Sequence, residues 1–165
     1  MMERKAKVLE VLTKLEIPYR IYEHPPLPTI SIAMEYWKDI DATHCKNLFF
    51  RNHKGNKHYL VIMNCLQELD IHDLEKRLKQ GKISFASAER MKKYLGTEAG
   101  SVSAFSLIND ENDHVYVFVD ENLIKSKKIS FHPNVNTASV VISIEDFMKF
   151  LKWSGNEYEF LKLYE

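Results

Sequence analysis

The sequence predicts a single α/β domain in which a mixed β-sheet is flanked by helices. The chain has 165 residues, enough for one hydrophobic core but with little room for a second. Some segments carry apolar residues at helical spacing, whereas others are short runs of β-forming residues. The two kinds alternate without the regular spacing of repeated β-α-β units, so a doubly wound parallel sheet is not expected. We therefore expect one domain over residues 1–165.

The predicted helices combine apolar positions three and four residues apart with recognisable ends. Each of the last four is expected to begin at a side chain that can accept a backbone N–H, namely Thr29, Asp70, Ser87 and Ser143. Gly81 and Gly96 are expected to end the third and fourth helices. The predicted ranges are 3–15, 29–38, 71–80, 88–95 and a last helix that follows Ser143.

The predicted strands are bounded by turn residues. Residues 45–52 and 57–64 are expected to form a hairpin, because a short loop containing Gly55 joins them. Residues 115–119 are five consecutive β-formers, which predicts a strand covered on both faces. Shorter strands are expected at 19–23 and 137–142, and the proline-rich segment 24–28 should be an extended loop. The tail after Trp153 is weakly patterned and is read as helical or frayed.

The charge balance excludes some functions. With 23 basic and 23 acidic residues the net charge is zero, which argues against a broad basic surface that wraps nucleic acid. Local basic patches remain possible, although solvated helix and loop faces explain them equally simply. The candidates are Lys76, Arg77, Lys79, Lys82, Lys125, Lys127 and Lys128.

The cysteines and the N-terminus indicate a cytoplasmic protein. Cys45 and Cys65 are too few for a disulfide framework or a zinc site, and the seven histidines show no ligand spacing. The first residues lead into an amphipathic helix, not an apolar signal core. No segment approaches the 18 apolar residues of a membrane span. A metal site is therefore not expected either.

Lys46 is the most informative residue of the sequence. It opens the apolar run of Leu48, Phe49 and Phe50, where a lysine contributes little to packing. Burial of an ammonium group is costly, so a lysine at the mouth of a pocket usually holds a phosphate, a carboxylate or a developing oxyanion. Taken alone, the segment favours the commoner alternative, a lysine that reaches past a strand edge to solvent.

Three loop segments could contribute to the same site, although no familiar catalytic motif is present. Residues 84–87 place small hydroxyls beside Phe85 ahead of a helix. Residues 100–103 form a small-residue turn whose amides could converge on an oxygen. Residues 131–134 set His132 in a rigid turn. A helix cap, a plain turn and a packed histidine are the respective structural explanations.

The order of these segments resembles the YbaK/ProX-type aminoacyl-tRNA editing deacylases, specifically the free-standing prolyl-tRNA editing proteins. The similarity runs from about residue 5 to 151 and rests on six segments in the family's order. They are Tyr22-Glu23-His24-Pro25-Pro26, Thr29, Cys45-Lys46-Asn47-Leu48-Phe49, Ser84-Phe85-Ala86-Ser87-Ala88-Glu89-Arg90, Gly100-Ser101-Val102-Ser103 through Asp110, and Phe131-His132-Pro133 with Asn136-Thr137-Ala138.

This resemblance implies a YbaK-like fold and hydrolysis of the ester that joins a wrong amino acid, alanine above all, to the 3′ end of a proline tRNA. Lys46 would hold the terminal phosphate or ribose. The turn from Gly100 through Ser103, with Gly100 and Ser101 as its catalytic residues, would donate backbone N–H groups to the ester carbonyl. The implied substrate contacts are Asn47, His132, Thr29, Ser103 and Phe85, with Thr29, Ile30 and Ile32 limiting the pocket's size. A ribose hydroxyl of the substrate would orient water, so the resemblance implies neither a metal nor a cofactor.

One departure from the family pattern keeps alternatives open. The family usually has proline four residues after the loop glycine, where this chain has Ala104. A less rigid turn could change the amino acid removed to cysteine or serine. It could also leave a non-catalytic module that binds tRNA or a synthetase, or a related fold with a small-molecule ligand. The sequence does not show whether prolyl-tRNA synthetase is a required partner.

Overall fold

The computed structural model describes residues 2–26 and 30–164, and it confirms a mixed α/β fold. The helices are α1 Met2–Lys14, α2 Ile30–Trp37, α3 Ile71–Leu78, α4 Ala88–Leu95 and α5 Ile144–Ser154. The strands are β1 Arg20–Glu23, β2 Thr43–Arg51, β3 His58–Asn64, β4 Ser84–Phe85, β5 Tyr116–Asp120, β6 Lys128–Phe131, β7 Ala138–Ser143 and β8 Tyr158–Leu161. Short 3₁₀ helices cover Ala104–Asn109 and Glu121–Lys125.

The strands form one mixed sheet in which β2 is the junction. The order is β1-β7-β6-β2-β3-β5-β8, with β4 paired to β2 outside this path. One edge of β2 pairs antiparallel with β3 over residues 45–51. Its other edge pairs with β6 only at Thr43 and His44, and with β4 only at Phe50 and Arg51. Among the described strands, none pairs with that edge over residues 45–48, so the sheet splits beside Lys46.

The alternation of side chains along β2 divides the core into two sides. Cys45 and Phe49 pack into the larger cluster, which also buries apolar residues of α1, α4 and α5. Leu48 and Phe50 pack into a smaller cluster beneath α3. By the same alternation Lys46 lies on the side of Leu48, whereas Asn47 lies on the side of Phe49.

Local chemistry explains why the helices begin where they do. The side chains of Asp70, Ser87 and Ser143 accept N–H groups from Asp73, Arg90 and Asp146 at 3.1, 3.2 and 3.1 Å, as predicted. The predicted cap Thr29 lies outside the described residues. No helix in the described part of the chain is long and apolar enough to cross a membrane.

Two sequence predictions need correction. The tail is neither helical nor frayed, because Tyr158–Leu161 forms β8 parallel to β5. The helix before it ends at Gly155 with φ 80°, and Phe160, one of the β-formers that follow, packs against the larger core. The third helix ends at Lys79, a non-glycine residue with φ 55°, two residues before the predicted Gly81.

Two short strands were not predicted from the sequence. Ser84 and Phe85, read as loop, form β4, and Lys128–Phe131, whose last residue was placed in a turn, forms β6. The predicted strand 115–119 is confirmed as Tyr116–Asp120. Both faces of this strand are buried, because Val117 and Val119 join the larger cluster and Phe118 the smaller one.

Candidate active site

Three strands bring Lys46, His132 and His24 to one region of the sheet. β2 runs parallel to β6, and β1 runs in the same direction because β1 and β6 both lie antiparallel to β7. Ser130 pairs with His44, and Lys46 and His132 each lie two residues beyond this pair, which puts both on the same face of the sheet. His24 follows β1 as His132 follows β6. The region therefore lies where the sheet splits, at the carboxyl ends of two strands.

His132 is held as a neutral hydrogen-bond acceptor. Its Nδ1 lies 2.8 Å from the carbonyl oxygen of Ala138, which can only accept, so Nδ1 carries the proton. Burial lowers the pKa of His132, and nearby His24 lowers it further against the opposing effect of the Ala138 hydrogen bond. At neutral pH the lone pair of Nε2 is consequently available to a hydroxyl, an ammonium group or a water molecule.

His24 fixes the position of His132, although the sequence analysis gave it no role. The Pro25 carbonyl accepts from Nδ1 of His24 at 2.9 Å, so Nε2 accepts the hydrogen bond from the Ser139 hydroxyl at 2.9 Å. The ring of His24 packs edge-on against His132 with centroids 5.9 Å apart. The signal that could have identified it is its place directly after a strand, matching that of His132.

His44 forms an uncharged aromatic wall two residues before Lys46. Its ring stacks on Trp37 of α2 at 4.3 Å and an interplanar angle of 7°. Burial lowers the pKa of His44 to about 4, so the ring is neutral at pH 7. Neither ring nitrogen, like Nε1 of Trp37, has a hydrogen bond of ordinary geometry in the described residues, although the backbone of Trp37 and Ile40 lies near enough to oppose the fall in pKa. A neutral ring here leaves Lys46 as the local positive charge.

Lys46 is half-buried, and no ion pair formed by the described residues includes it. An ammonium without a carboxylate partner at this place can bind an anion. Burial raises the pKa of the neighbouring Cys65 thiol, and although Lys46 acts in the opposite direction, burial dominates. Burial likewise raises the pKa of Cys45. Neither thiol is therefore activated as a nucleophile.

Asn47 does not project to the same side as Lys46, because consecutive strand residues alternate. Its Oδ1 is buried and has no hydrogen-bond partner among the described residues. A buried amide oxygen without a partner is unusual, and a donor could reach it only if the surrounding side chains moved. The two predicted neighbours could thus approach a bound molecule only from opposite sides of the split in the sheet.

The loop before the first 3₁₀ helix contains the predicted amide donors. Gly100 is exposed and has φ +88°, a conformation that favours glycine. The N–H of Ser101 donates to Glu98 O at 3.0 Å, and that of Ser103 donates to Ser106 Oγ at 3.0 Å. The N–H groups of Gly100 and Val102 have no acceptor in the described part of the chain, so these two are the available donors.

A buried polar network ties this loop to the segment after His132. Ser106 Oγ donates to Oδ1 of Asn134 at 2.8 Å, and Ser103 Oγ accepts from the N–H of Phe105 at 3.1 Å. Asn134 is fully buried and has φ 61°. Ala104 begins the 3₁₀ helix that Ser103 and Ser106 cap reciprocally. Hydrogen bonds thus fix the turn at which the family usually has proline.

One of the predicted contact residues is not brought to Lys46. Phe85 stacks on Phe50 with centroids 4.6 Å apart and is 58% exposed. Since Phe50 is four residues from Lys46 on β2, the separation along the strand is about 13 Å. Thr29 lies outside the described residues. Lys46 and Asn47 lie at the split in the sheet, and the hydrogen bonds of Ser103 connect the predicted loop to Asn134, two residues after His132. No group of three or more potential metal ligands occurs within the described ranges.

Comparison with known proteins identifies the class of protein that this fold and site define. The family model for the aminoacyl-tRNA editing domain matches residues 24–150. The chain belongs to this family, which confirms the predicted resemblance to YbaK/ProX-type proteins and the predicted deacylase activity.

Individual relatives extend the similarity over nearly the whole chain. The prolyl-tRNA editing protein ProX of Acetoanaerobium sticklandii is 39% identical over 98% of this chain and 99% of its own length. The prolyl-tRNA synthetase associated domain-containing protein 1 of Mus musculus is 30% identical over 94% of each chain. A solved structure described as a candidate trans-editing enzyme for prolyl tRNA synthetase has a TM-score of 0.71 at 19% identity, covering 96% of both chains, and supports the fold.

Proposed function

We propose that this protein hydrolyses the aminoacyl ester of mischarged proline tRNA, with alanine as the amino acid removed. The observation that carries the proposal is that Lys46, a cation without an ion-pair partner in the described residues, and His132, with its open Nε2, each lie two residues beyond the paired His44 and Ser130. The 39% identical relative is named a prolyl-tRNA editing protein, which supports proline tRNA as the substrate.

The residues suggest how the reaction proceeds. Lys46 binds the phosphate or ribose of the terminal nucleotide and so positions the ester. Water adds to the ester carbonyl carbon, the bond to the ribose oxygen breaks, and the free amino acid and the tRNA hydroxyl leave. The N–H groups of Gly100 and Val102 stabilise the negative charge that develops on the carbonyl oxygen. His132 Nε2 accepts a hydrogen bond from the amino acid, the ribose or the attacking water.

The other substrate contacts fit this proposal unequally. Asn47 and Ser103 lie on the loop side of the split sheet, where Asn47 offers its unpartnered Oδ1. Ser103 acts indirectly because its N–H and Oγ are used within the turn. Thr29 and Phe85 remain predictions. An alanine-sized pocket would reject proline by shape, since small cavities exclude larger side chains sharply.

We further propose that residues 1–165 work as one editing domain. The family model leaves out α1 and β8, yet Val8 and Leu12 are buried in the larger core and β8 pairs with β5. Both cysteines are free thiols, which suits the reducing cytoplasm as its location. The mouse relative is named for association with prolyl-tRNA synthetase, so that synthetase is the partner to test.

The function is tested with proline tRNA charged with alanine, proline, cysteine or serine, following loss of each ester with and without prolyl-tRNA synthetase. Rapid loss of alanine alone supports the proposal. Loss of cysteine or serine instead would change the substrate, and no loss of any ester would overturn the enzymatic activity.

Lys46→Ala tests the site itself. We expect kcat/KM for the alanyl ester to fall by about 100-fold or more, the effect typical of removing a charge-stabilising group. Lys152→Ala, an exposed lysine on α5, is the matched control and should be unchanged. Thermal unfolding would show that both variants fold. Full activity of Lys46→Ala would refute the assignment.

A further inference from the structure

A second polar cluster lies at the opposite end of β2, around the β2–β3 hairpin. It comprises Arg51, Arg90 and Lys93, here called the hairpin cation cluster. A Cβ atom added at Gly55 would lie 3.0 Å from Nη2 of Arg90 and 3.5 Å from Nη2 of Arg51, so the two guanidinium groups converge on this glycine. Lys93 and Arg90 also line an adjacent cleft of about 300 Å³ on α4.

The positive charge of this cluster is not neutralised within the described residues. Arg90 Nη1 donates to Gly55 O at 3.0 Å, and Arg51 Nη2 donates to His53 O at 3.1 Å. The ion pairs of the described chain include none of the three cations. Glu89 lines the cleft but forms no such pair. Convergent like charges without a counter-ion cost free energy, so their arrangement indicates an anionic ligand.

Two histidines hold Arg90 in a fixed orientation without supplying charge. A guanidinium only donates, so Nε2 of His58 accepts from Arg90 at 2.9 Å and its proton lies on Nδ1. That proton is donated to Nε2 of His114 at 2.8 Å. Burial, with His114 and the nearby cations, lowers the pKa of His58 to about 4. Nε and Nη2 of Arg90 have no acceptor in the described residues and remain available to a ligand.

The cluster lies along the same edge of the sheet as the candidate active site. β4 pairs with the edge of β2 that is open beside Lys46, and α4 begins three residues after Phe85. Arg51 is five residues from Lys46 on β2, about 17 Å along the strand, and strand alternation places the two side chains on opposite faces of the sheet. An RNA chain whose 3′ end reaches Lys46 would therefore pass around the open edge of β2 to place a backbone phosphate at the cluster.

We propose that the hairpin cation cluster is a second phosphate-binding site, which holds the phosphodiester backbone of the RNA whose 3′ end occupies the Lys46 site. This proposal rests on the proposed function, because that function supplies the RNA. Because the net charge of the protein is zero, its overall charge does not attract a polyanion. A local cation cluster can still bind one. Free inorganic phosphate could bind through the same contacts, and the experiment compares its binding with that of tRNA.

The test compares Lys93→Glu with Lys92→Glu, an equal charge change at the next exposed residue of α4, which does not line the cleft. Binding of uncharged proline tRNA is measured against salt concentration, and deacylation is measured with both full tRNA and an aminoacylated CCA trinucleotide. For Lys93→Glu we expect about a tenfold higher Kd and KM with full tRNA, an unchanged kcat and a salt slope smaller by about 0.7–0.9. The trinucleotide, too short to reach the cluster, should be hydrolysed equally by all forms.

Arg51→Gln provides a second variant with the same expected pattern. Equal tRNA affinity of Lys93→Glu and Lys92→Glu would overturn the proposal, as would inorganic phosphate binding that depends on Lys93 while tRNA binding does not. Absence of ester hydrolysis by the wild-type protein would refute the proposed function alone. The binding of uncharged tRNA would still decide whether the cluster contacts RNA.

Discussion

The two ends of β2 each combine histidines with a cation, but they use the histidines differently. At the Lys46 end, His132 commits Nδ1 to a backbone carbonyl and leaves Nε2 open as an acceptor, while its neighbour His24 is anchored through both nitrogens, to Pro25 and Ser139. At the hairpin end, both nitrogens of His58 are occupied, by Arg90 and His114. A histidine anchored through one nitrogen is oriented and can still bind a substrate, whereas one anchored through both acts as a structural connection.

The largest effect that separates the two ends is expected at His132. Asparagine can keep the Nδ1-like donor to Ala138 but lacks the Nε2 acceptor, whereas glutamine can supply a distal acceptor and loses the anchoring donor. If the open acceptor is what matters, His132→Asn should lower kcat/KM about 100-fold and His132→Gln by about tenfold. Thermal unfolding would separate these effects from misfolding.

The pH profile adds a readout that a structural role would not change. Burial lowers the pKa of His132 below its usual value, so the wild-type rate should fall only when the pH drops below about 6.5 and the ring becomes protonated. This acidic loss should be absent from the residual activity of His132→Asn. If His132→Asn were more active than His132→Gln, the anchoring donor and not the acceptor would be the essential group.

A smaller, structural effect should distinguish His58 from His44. His58→Phe leaves Arg90 and His114 without their shared partner, so we expect a loss of about 2 kcal/mol in the free energy of unfolding at pH 7.5. His44→Phe keeps the stack on Trp37 and removes no hydrogen bond found in the described residues, so its loss should stay below about 1 kcal/mol. Urea unfolding of both variants measures the difference, and equal losses would contradict this account of His58.

Low pH should destabilise the folded protein through both His44 and His58, because the pKa of each is lowered. Each has a pKa of about 4 in the folded protein and about 6.5 when unfolded, so the unfolded chain binds more protons between these values. Their contribution is complete above pH 6.5 and is lost as the pH falls toward 4. Each phenylalanine variant should therefore lose less stability than the wild type between pH 7 and 4.5.

Most of the fold could be predicted because its elements carry local signals. Asp70, Ser87 and Ser143 cap their helices through their own side chains, and a glycine-bearing loop joins β2 to β3. β4 and β8 could not be predicted, because two or four residues give little periodicity and pair only with partners distant in sequence. Lys79 shows the same limit, since a helix can end in the left-handed conformation before an available glycine.

The candidate site was predicted less completely than the fold. The order of motifs identified Lys46 and His132, but the separation of Lys46 from Asn47 follows from strand alternation, and the alignment with His132 follows from the β2–β6 register. His24 has no role that its sequence neighbours reveal, because its partner Ser139 is 115 residues away. Which loop amides are already occupied is likewise a tertiary property. Sequence motifs thus selected the candidate residues, and strand pairing determines how they are arranged.

The smallest expected effect concerns Gly96 and Gly100, which both lie in the segment between α4 and the first 3₁₀ helix. Both have positive φ, but a Cβ at Gly100 meets nothing within 4 Å, whereas one at Gly96 lies 2.9 Å from Nδ2 of Asn109. Gly100→Ala should therefore cost only the backbone strain, about 1 kcal/mol, and Gly96→Ala more. Since Gly100 adjoins the proposed carbonyl-binding amides, Gly100→Ala should nevertheless reduce kcat more than Gly96→Ala does. Unfolding free energies and single-turnover rates of both variants test whether the less destabilised variant, Gly100→Ala, loses more activity. If Gly96→Ala lost more of both stability and activity, the loop would have no part in catalysis.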